Sequence, residues 1–424
     1  MECGVEIAGE KFVEKYFTLS LPQRRSILTE LSQNFGVNHE ALKRAILVYK
    51  KNEQGFMNIG SAVRPRYFYL FQSVGNLIGG IKQICFVRAD VLEMLRSSNL
   101  TRNESAALRP VESCLRDLLT LWFCQSNLRL QQLKVDSPIE ILDKVMKYEA
   151  VHPIASLLDM KRRLGPNRRC FVFMHEAMSF EPLIVVYVAF MQNFAKSMEE
   201  IMNVTNIIAN ESLNNTAVFY SISSIQPGLR GIDLGNMIIK RVIAEILNTN
   251  PHIRTFGTLS PMPHFRSWLL RSLKCAAPSG DVIDERLMAI CEENESFKGD
   301  INMPELVRLF LLNHLNQINL EKRPESMRLE EISEIIMHLA LRYLVEIKHT
   351  GTGRVFDPVE NFHLRNGAEI YSINWKADTT TKGMERSYGL MVNYRYRLDL
   401  VAKYADQYIK KGEIAVNSQA LAML

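Results

Sequence analysis

Long apolar runs are missing from this sequence. The longest, Leu183 to Met191, follows Glu181-Pro182 and is about half of what a membrane-spanning helix needs, so no transmembrane segment is expected. Cysteine is sparse and shows no pairing pattern. The seven, Cys3, Cys85, Cys114, Cys124, Cys170, Cys275 and Cys291, are odd in number, scattered and without a C-x-x-C, which excludes a disulfide scaffold and a thiolate zinc site. Each is read as a buried apolar thiol in a reducing compartment. The nine histidines contain no H-x-x-x-H or similar ligand spacing, so no protein-bound metal is expected. Basic residues never gather into long blocks; a net charge of +5 suits a small anionic ligand better than nucleic acid. No G-x-G-x-x-G, no G-K-[ST] and no G-x-S-x-G occurs at the candidate sites below, which removes the usual dinucleotide, P-loop and nucleophile-elbow readings there. The opening MECGVEIAGEKF has neither an apolar signal core nor an arginine-rich, acid-poor character, so the cytoplasm is the expected compartment. The closing residues carry Met423 where a peroxisomal tripeptide has a basic residue, a weak address at most.

What is present suits a two-domain globular protein: 424 residues, 47% apolar and 23% charged. From Ser20 to about Val145 the apolar residues recur at helical spacing. Ser20 caps a helix entered through Pro22, with Ile27, Leu28, Leu31 and Phe35 on one face and Gly36 as the stop. Asn38 opens another, and apolar stripes continue around Val91 to Leu95, Leu108 to Leu130 and Ile139 to Met146. Near residue 150 the pattern changes. A basic loop, Lys161-Arg162-Arg163 through Arg168-Arg169, is expected on the surface, with phosphate contact as the alternative, and leads into strands at Cys170 to Met174 and Leu183 to Phe190. Helical periodicity returns at Val282 to Cys291, Pro304 to Asn316 and Leu329 to Glu346. Strands are then expected at Ile370 to Trp375, after Asn366-Gly367, and at Gly389 to Leu398, before a closing helix.

The stretch from Ala217 to Phe265 reads as strand, glycine-rich loop, helix and second strand. Ala217 to Ser223 is β-branched and aromatic. Leu234, Ile238, Val242 and Ile246 then keep helical spacing, and Thr255 to Leu259 is the second strand of a βαβ unit. Gly228, Gly231 and Gly235 before a helix admit two readings. One is an ordinary tight turn. The other is an anion site, because the first helical amides lack partners and glycine lets a diphosphate approach the main chain. Ser260, pinned by Pro261 and Pro263, and His363 in Asn361-Phe-His-Leu-Arg-Asn-Gly also admit two readings, structural or catalytic, and the residues alone do not choose.

Several stretches taken together resemble the malonyl-CoA decarboxylase family. They are Glu149-Ala-Val-His-Pro153, Met160-Lys-Arg-Arg-Leu-Gly-Pro166, Arg168-Arg-Cys170, Glu181-Pro-Leu183, Phe219-Tyr-Ser-Ile-Ser223, Gly228-Leu-Arg-Gly231, Leu259-Ser-Pro-Met-Pro263, Asn361-Phe-His-Leu364 and Asn393-Tyr-Arg-Tyr396. The resemblance implies an α+β protein. A helical bundle and oligomerisation domain (1–148) would precede a catalytic mixed-sheet domain (149–424) similar to the GNAT superfamily of N-acetyltransferases, with a helical insertion at about 282–346. It implies conversion of malonyl-CoA and a proton to acetyl-CoA and carbon dioxide, in fatty acid metabolism, by a homo-oligomer, a tetramer in the family, without cofactor or metal. It also admits a peroxisomal or mitochondrial compartment. Carried over residue by residue, Arg230, Gly231, Ile232, Asp233, Leu234, Gly235 and Asn236 bind the thioester ligand, Ser260 contacts the malonyl group as proton acceptor, and His363 is the proton donor. Ser221, Asp233 and Tyr396 support them. Asp233 stands where the family leads one to expect glutamate and the acetyltransferases often have glycine, so its carboxylate is one methylene shorter.

That chemistry asks little of the protein beyond placement. A 3-carboxy thioester uses its own carbonyl as the electron sink, so donors aimed at the enolate oxygen and one proton for the carbanion suffice. An imidazole titrating near neutrality would suit the latter. The rival functions are a coenzyme A-dependent acyltransferase and a non-catalytic coenzyme A sensor.

Overall fold

The structure is a computed structural model. It describes residues 2–51, 56–149, 151–203, 210–232, 234, 238–275, 311, 315, 333–349, 351 and 353–422. The chain divides into two compact units: Met1–Ile154 with Phe171–Val185 and Ser223–Leu234, and Ala155–Cys170 with Val186–Ile222 and Gly235–Leu424.

The first unit is built from helices α1 (Glu2–Tyr16), α2 (Leu21–Asn34), α3 (His39–Lys51), α4 (Phe56–Ala62), α5 (Arg66–Asn76), α6 (Gly80–Arg96), α7 (Arg102–Trp122) and α8 (Ile139–Tyr148). The start of α7 shows why the sequence folds so locally. Thr101 Oγ1 accepts from the Glu104 amide at 3.2 Å while Glu104 Oε2 accepts from the Thr101 amide at 3.0 Å, so two orphan amides are satisfied reciprocally. Its apolar stripe, Leu108, Val111, Leu115 and Leu119, is fully buried, as are Ile84, Val87 and Val91 of α6 and Phe71 and Val74 of α5. The helix expected to continue to Leu130 stops at Trp122, and Leu128–Leu133 forms strand β1. The reason is a change of period: Leu128 is buried, Leu130 and Gln132 are half-buried, and Arg129 and Gln131 between them are exposed, an alternation of two. Cys85 and Cys114 are buried as expected, but Cys124 is exposed.

In the second unit α9 (Leu157–Arg163) precedes strand β2 (Arg168–His175), whose first residues belong to this unit. The expected basic loop is therefore a helix end and a strand start: Lys161 and Arg162 are exposed as expected, but Arg163, Arg168 and Arg169 are not. Arg163 is buried against Asp159 at 3.0 Å, one turn back on the helix. Arg168 is buried and donates to the carbonyls of Asn167 and Ile201, while Arg169 pairs with Glu211 at 2.6 Å. Neither the surface reading nor phosphate contact describes them; these guanidiniums satisfy buried carbonyls and carboxylates.

Strand β3 (Ile184–Met191) is buried along nearly its whole length, which explains its continuous apolar run. Strand β4 (Thr216–Ser224) pairs in parallel with β5 (Thr255–Thr258) in the register Thr216 to Thr255 through Phe219 to Thr258. Between them in sequence lies α11 (Ile238–Thr249), the crossover helix that a parallel pair requires, with Ile238, Val242 and Ile246 buried; α10 (Met198–Met202) precedes β4. Strand β6 (Ser260–Pro261) follows β5 after Leu259, and β8 (Met391–Arg395) runs antiparallel to β5, to β6 and to β7 (Glu369–Asn374). The sheet is mixed, and the fold is α+β with the helical region first, as expected. Helices α12 (Phe265–Cys275), α13 (Ser333–Val345), α14 (Pro358–Arg365), α15 (Thr381–Ser387), α16 (Val401–Lys411) and α17 (Ser418–Leu421) complete the described chain. The expected helices at 282–291 and 304–316 lie outside the described residues, apart from Leu311 and Leu315.

Candidate active site

Ser260 and His363 come from different kinds of element. Ser260 opens β6, its backbone in register with Val392 of β8, and its side chain is buried. His363 lies on α14, which begins where Asp357 accepts from the amides of Val359 and Glu360 at 2.9 and 3.1 Å with Pro358 in the first turn. The helix stops at Asn366, where Gly367 takes φ +83° and sits where a Cβ would meet the Val401 carbonyl at 2.0 Å.

Ser260 Oγ and His363 Nε2 are 2.9 Å apart, and His363 Nδ1 is 2.7 Å from the Tyr396 hydroxyl. Ser260 donates its one proton to Thr258 Oγ1 at 2.9 Å, so the imidazole is the donor at Nε2. That tautomer leaves Nδ1 to accept from Tyr396. Burial raises the Tyr396 phenol well above its usual range, which keeps the proton it donates. The line therefore runs from Tyr396 through His363 and Ser260 to Thr258, whose Oγ1 also accepts from the Tyr394 amide at 3.2 Å. Thr258 is fixed in turn by Asn393, which donates to its carbonyl at 2.7 Å and accepts from Ser372 and Asn374 at 2.7 and 2.6 Å.

Full burial pushes the His363 imidazole down to about 3. The ring is neutral at physiological pH and does not titrate near neutrality as the sequence suggested, because desolvation penalises the imidazolium. The Tyr394 ring stacks on it at 4.5 Å and 25°. One turn before His363 on α14, Glu360 is completely buried, and neither of its carboxyl oxygens has a hydrogen-bond partner among the described residues. Burial, and then the nearby Asp357, raises this carboxyl well above the usual carboxylate range.

Sequence reasoning did not single out Thr258, Tyr394 or Glu360. A signal existed for the first two: Thr258 lies two residues before Ser260 and Tyr394 two before Tyr396, the period at which strand side chains share a face. Glu360 gave none, since glutamate early in a helix is ordinary. Ser221 is buried on β4, two residues beyond Phe219, the register partner of Thr258.

The glycine loop belongs to the first unit as far as Leu234. The amides of Arg230, Ile232 and Leu234 close bonds within it at 3.2, 3.1 and 2.9 Å, and Gly231 between them takes φ +77°. Gly228 has a different reason to be glycine: a Cβ there would stand 1.9 Å from the Cys85 carbonyl oxygen of α6. Arg230 and Gly231 are exposed and Leu234 is buried; Asp233, Gly235 and Asn236 lie outside the described residues.

Two family models cover most of the chain. The malonyl-CoA decarboxylase C-terminal domain matches residues 126–424 and the malonyl-CoA decarboxylase N-terminal domain residues 35–123. The chain belongs to the malonyl-CoA decarboxylase family. Its sequence is 33% identical to "Malonyl-CoA decarboxylase, mitochondrial" of Anser anser anser over 432 residues, 99% of this chain and 83% of that protein. The protein of the same name from Rattus norvegicus is 33% identical over 95% of this chain and 82% of its own length. Solved malonyl-CoA decarboxylases superpose closely. That of Rhodopseudomonas palustris gives a TM-score of 0.83 at 30% identity, covering 99% of this chain and 94% of that one. That of Agrobacterium vitis gives 0.82 at 30% identity, covering 99% and 95%. Among the described residues of this malonyl-CoA decarboxylase family member, no helix is long and apolar enough to cross a membrane.

Proposed function

We propose that the chain converts malonyl-CoA to acetyl-CoA and carbon dioxide with Ser260, His363 and Tyr396 as its proton-handling line. The observation that carries this reading is the hydrogen-bonded contact of Ser260 Oγ with His363 Nε2 at 2.9 Å, backed by Tyr396. The bond from Cα to the carboxyl carbon breaks, and its electron pair moves into the thioester carbonyl to form an enolate. Ser260 orients the malonyl group so that this bond stands across the carbonyl plane. The enolate carbon is basic enough to take the Nε2 proton of a neutral imidazole, the Tyr396 phenol keeps its proton and steadies the ring through its hydrogen bond to Nδ1, and one proton from solvent restores Nε2–H. Burial of the line excludes competing water and strengthens each hydrogen bond. Ser221 and Asp233 support the site, and the main chain of Arg230 to Asn236 holds the diphosphate of the carrier.

The reading extends to the rest of the protein. Residues 149–424 form the catalytic domain, similar in fold to the N-acetyltransferases, and 1–148 a helical domain through which copies associate, as a tetramer. The thioester is its own electron sink, so the reaction proceeds without metal or cofactor. The compartment is cytoplasmic, with the mitochondrion, where the names of the relatives put them, and the peroxisome as the alternatives that cell fractionation decides.

Purified protein incubated with malonyl-CoA and no acceptor tests the function. Release of acetyl-CoA and carbon dioxide, undiminished after dialysis against a chelator, is expected. Thioester binding without turnover would leave a coenzyme A sensor, and turnover only with an added amine an acyltransferase.

A further inference from the structure

One face of helix α6 is committed to the glycine loop. Lys82, Cys85 and Arg88 stand at intervals of three residues, so they project to the same side. Arg88 is almost completely buried, and its Nη1 donates to the Gly228 carbonyl at 2.5 Å. Its charge is balanced by Glu112 of α7, which accepts from Nε at 3.2 Å and Nη2 at 2.7 Å. The Cys85 carbonyl occupies the space that any side chain at position 228 would need. Lys82 pairs at 2.9 Å with Glu181, whose other oxygen accepts from Gln226 at 3.3 Å, and Gln226 also donates to the Pro182 carbonyl at 3.2 Å. The Leu229 amide, in the same peptide unit as the Gly228 carbonyl, donates to Gln226 at 3.0 Å, so that peptide is held at both ends. A buried guanidinium is expensive to desolvate, and here two of its three nitrogens are spent on Glu112 and the third on one loop carbonyl.

We propose that Arg88 is a positioning residue for coenzyme A: it locks the Gly228–Leu229 peptide and thereby fixes the turn in which the exposed Gly231, at φ +77°, presents its amide to the diphosphate. The proposal rests on the reading that this loop binds the diphosphate. It assigns to a helix of the N-terminal region a role in substrate affinity, and to Glu112 the role of holding Arg88 in place.

Two substrates separate the proposal from the reading beneath it: malonyl-CoA, and malonyl-N-acetylcysteamine, which lacks the diphosphate. Wild-type protein is expected to prefer malonyl-CoA by a large ratio of kcat/KM. Arg88→Met is expected to raise KM for malonyl-CoA by about tenfold or more, the scale of losing a charged hydrogen bond, with kcat within about twofold and no change toward the short thioester. Arg88→Lys, which keeps the charge but cannot hold both partners, falls between them. The double variant Arg88→Met with Glu112→Met, which leaves no buried charge unpaired, repeats the KM effect and serves if the single variant does not fold. Gly231→Val is the control on the loop. If Gly231→Val leaves the substrate ratio unchanged, the loop does not bind the diphosphate and both reading and proposal fall. If it abolishes the ratio while every folded Arg88 variant keeps it, the loop reading stands and Arg88 is structural only.

Discussion

His363 Nε2 lies 2.9 Å from Ser260 Oγ although 103 residues separate them in the chain. Neither residue belongs to a local motif. The contact exists because β6 presents Ser260 beside β8 and because α14 delivers His363 to the same place, where Tyr396, just past the end of β8, takes its other nitrogen. A hydroxyl, an imidazole and a phenol each lacking solvent can satisfy one another only in this order, given that Ser260 spends its proton on Thr258.

Removing the imidazole should act on turnover. His363→Ala is expected to lower kcat at least about a hundredfold with little change in ligand affinity, and Ser260→Ala to act in the same direction. Steady-state kinetics with malonyl-CoA, alongside calorimetric binding of acetyl-CoA, checks this; unchanged turnover would take His363 out of the mechanism.

Tyr396→Phe keeps the ring and removes the donor to Nδ1. The imidazole then loses the hydrogen bond that selects its tautomer, and kcat is expected to fall about tenfold to a hundredfold while KM stays within about twofold. A variant with wild-type kcat would show that the phenol only packs.

The buried imidazole predicts the shape of two pH profiles. With its folded value near 3, against 6.5 when exposed, kcat/KM should show no acid limb around 6.5 from His363. Stability behaves oppositely: between those values the unfolded chain binds a proton that the folded one does not, so this residue's contribution is present above 6.5 and is lost as pH falls toward 3. Urea unfolding of wild type and His363→Phe across that range checks the slope, which the variant should lack.

Glu360 gives the reverse sign. Its folded value is raised above the ordinary 4.5, so stability is fully present below 4.5 and declines as pH rises through the folded value. Replacing a buried carboxyl that has no hydrogen-bond partner among the described residues by an apolar residue of similar size removes this burden. Glu360→Leu is expected to stabilise the fold by about 1–3 kcal/mol near neutral pH and by less at pH 4.5, read as the difference in unfolding free energy. A variant less stable than wild type at neutral pH would show that the carboxyl is satisfied in solution.

Gly228→Ala places a methyl group 1.9 Å from the Cys85 carbonyl, a contact that backbone cannot relieve cheaply. A loss of about 1–3 kcal/mol in stability is expected, measured by denaturant unfolding. Gly231→Ala meets no atom of the described residues within 4 Å but must adopt φ +77°, so its cost is about 1 kcal/mol and falls on the loop alone.

Sequence alone carried the periodic elements: the capped helices of the first unit, the buried strand Ile184–Met191, and the strand, helix and strand of the central unit. These are written locally, in spacing and in end signals, because a helix or strand repeats its burial pattern every few residues. It also carried the family, through short stretches scattered over the whole chain. The order of β5, β8 and β6, the pairing of Ser260 with His363, and the burial of Arg163 and Arg168 were decided by tertiary structure. Each depends on which distant segment supplies a hydrogen-bond partner or excludes water. Desolvation, which turned His363 from a residue titrating near neutrality into one that is neutral at physiological pH, is a property of everything packed around a side chain and of nothing within reach along the chain.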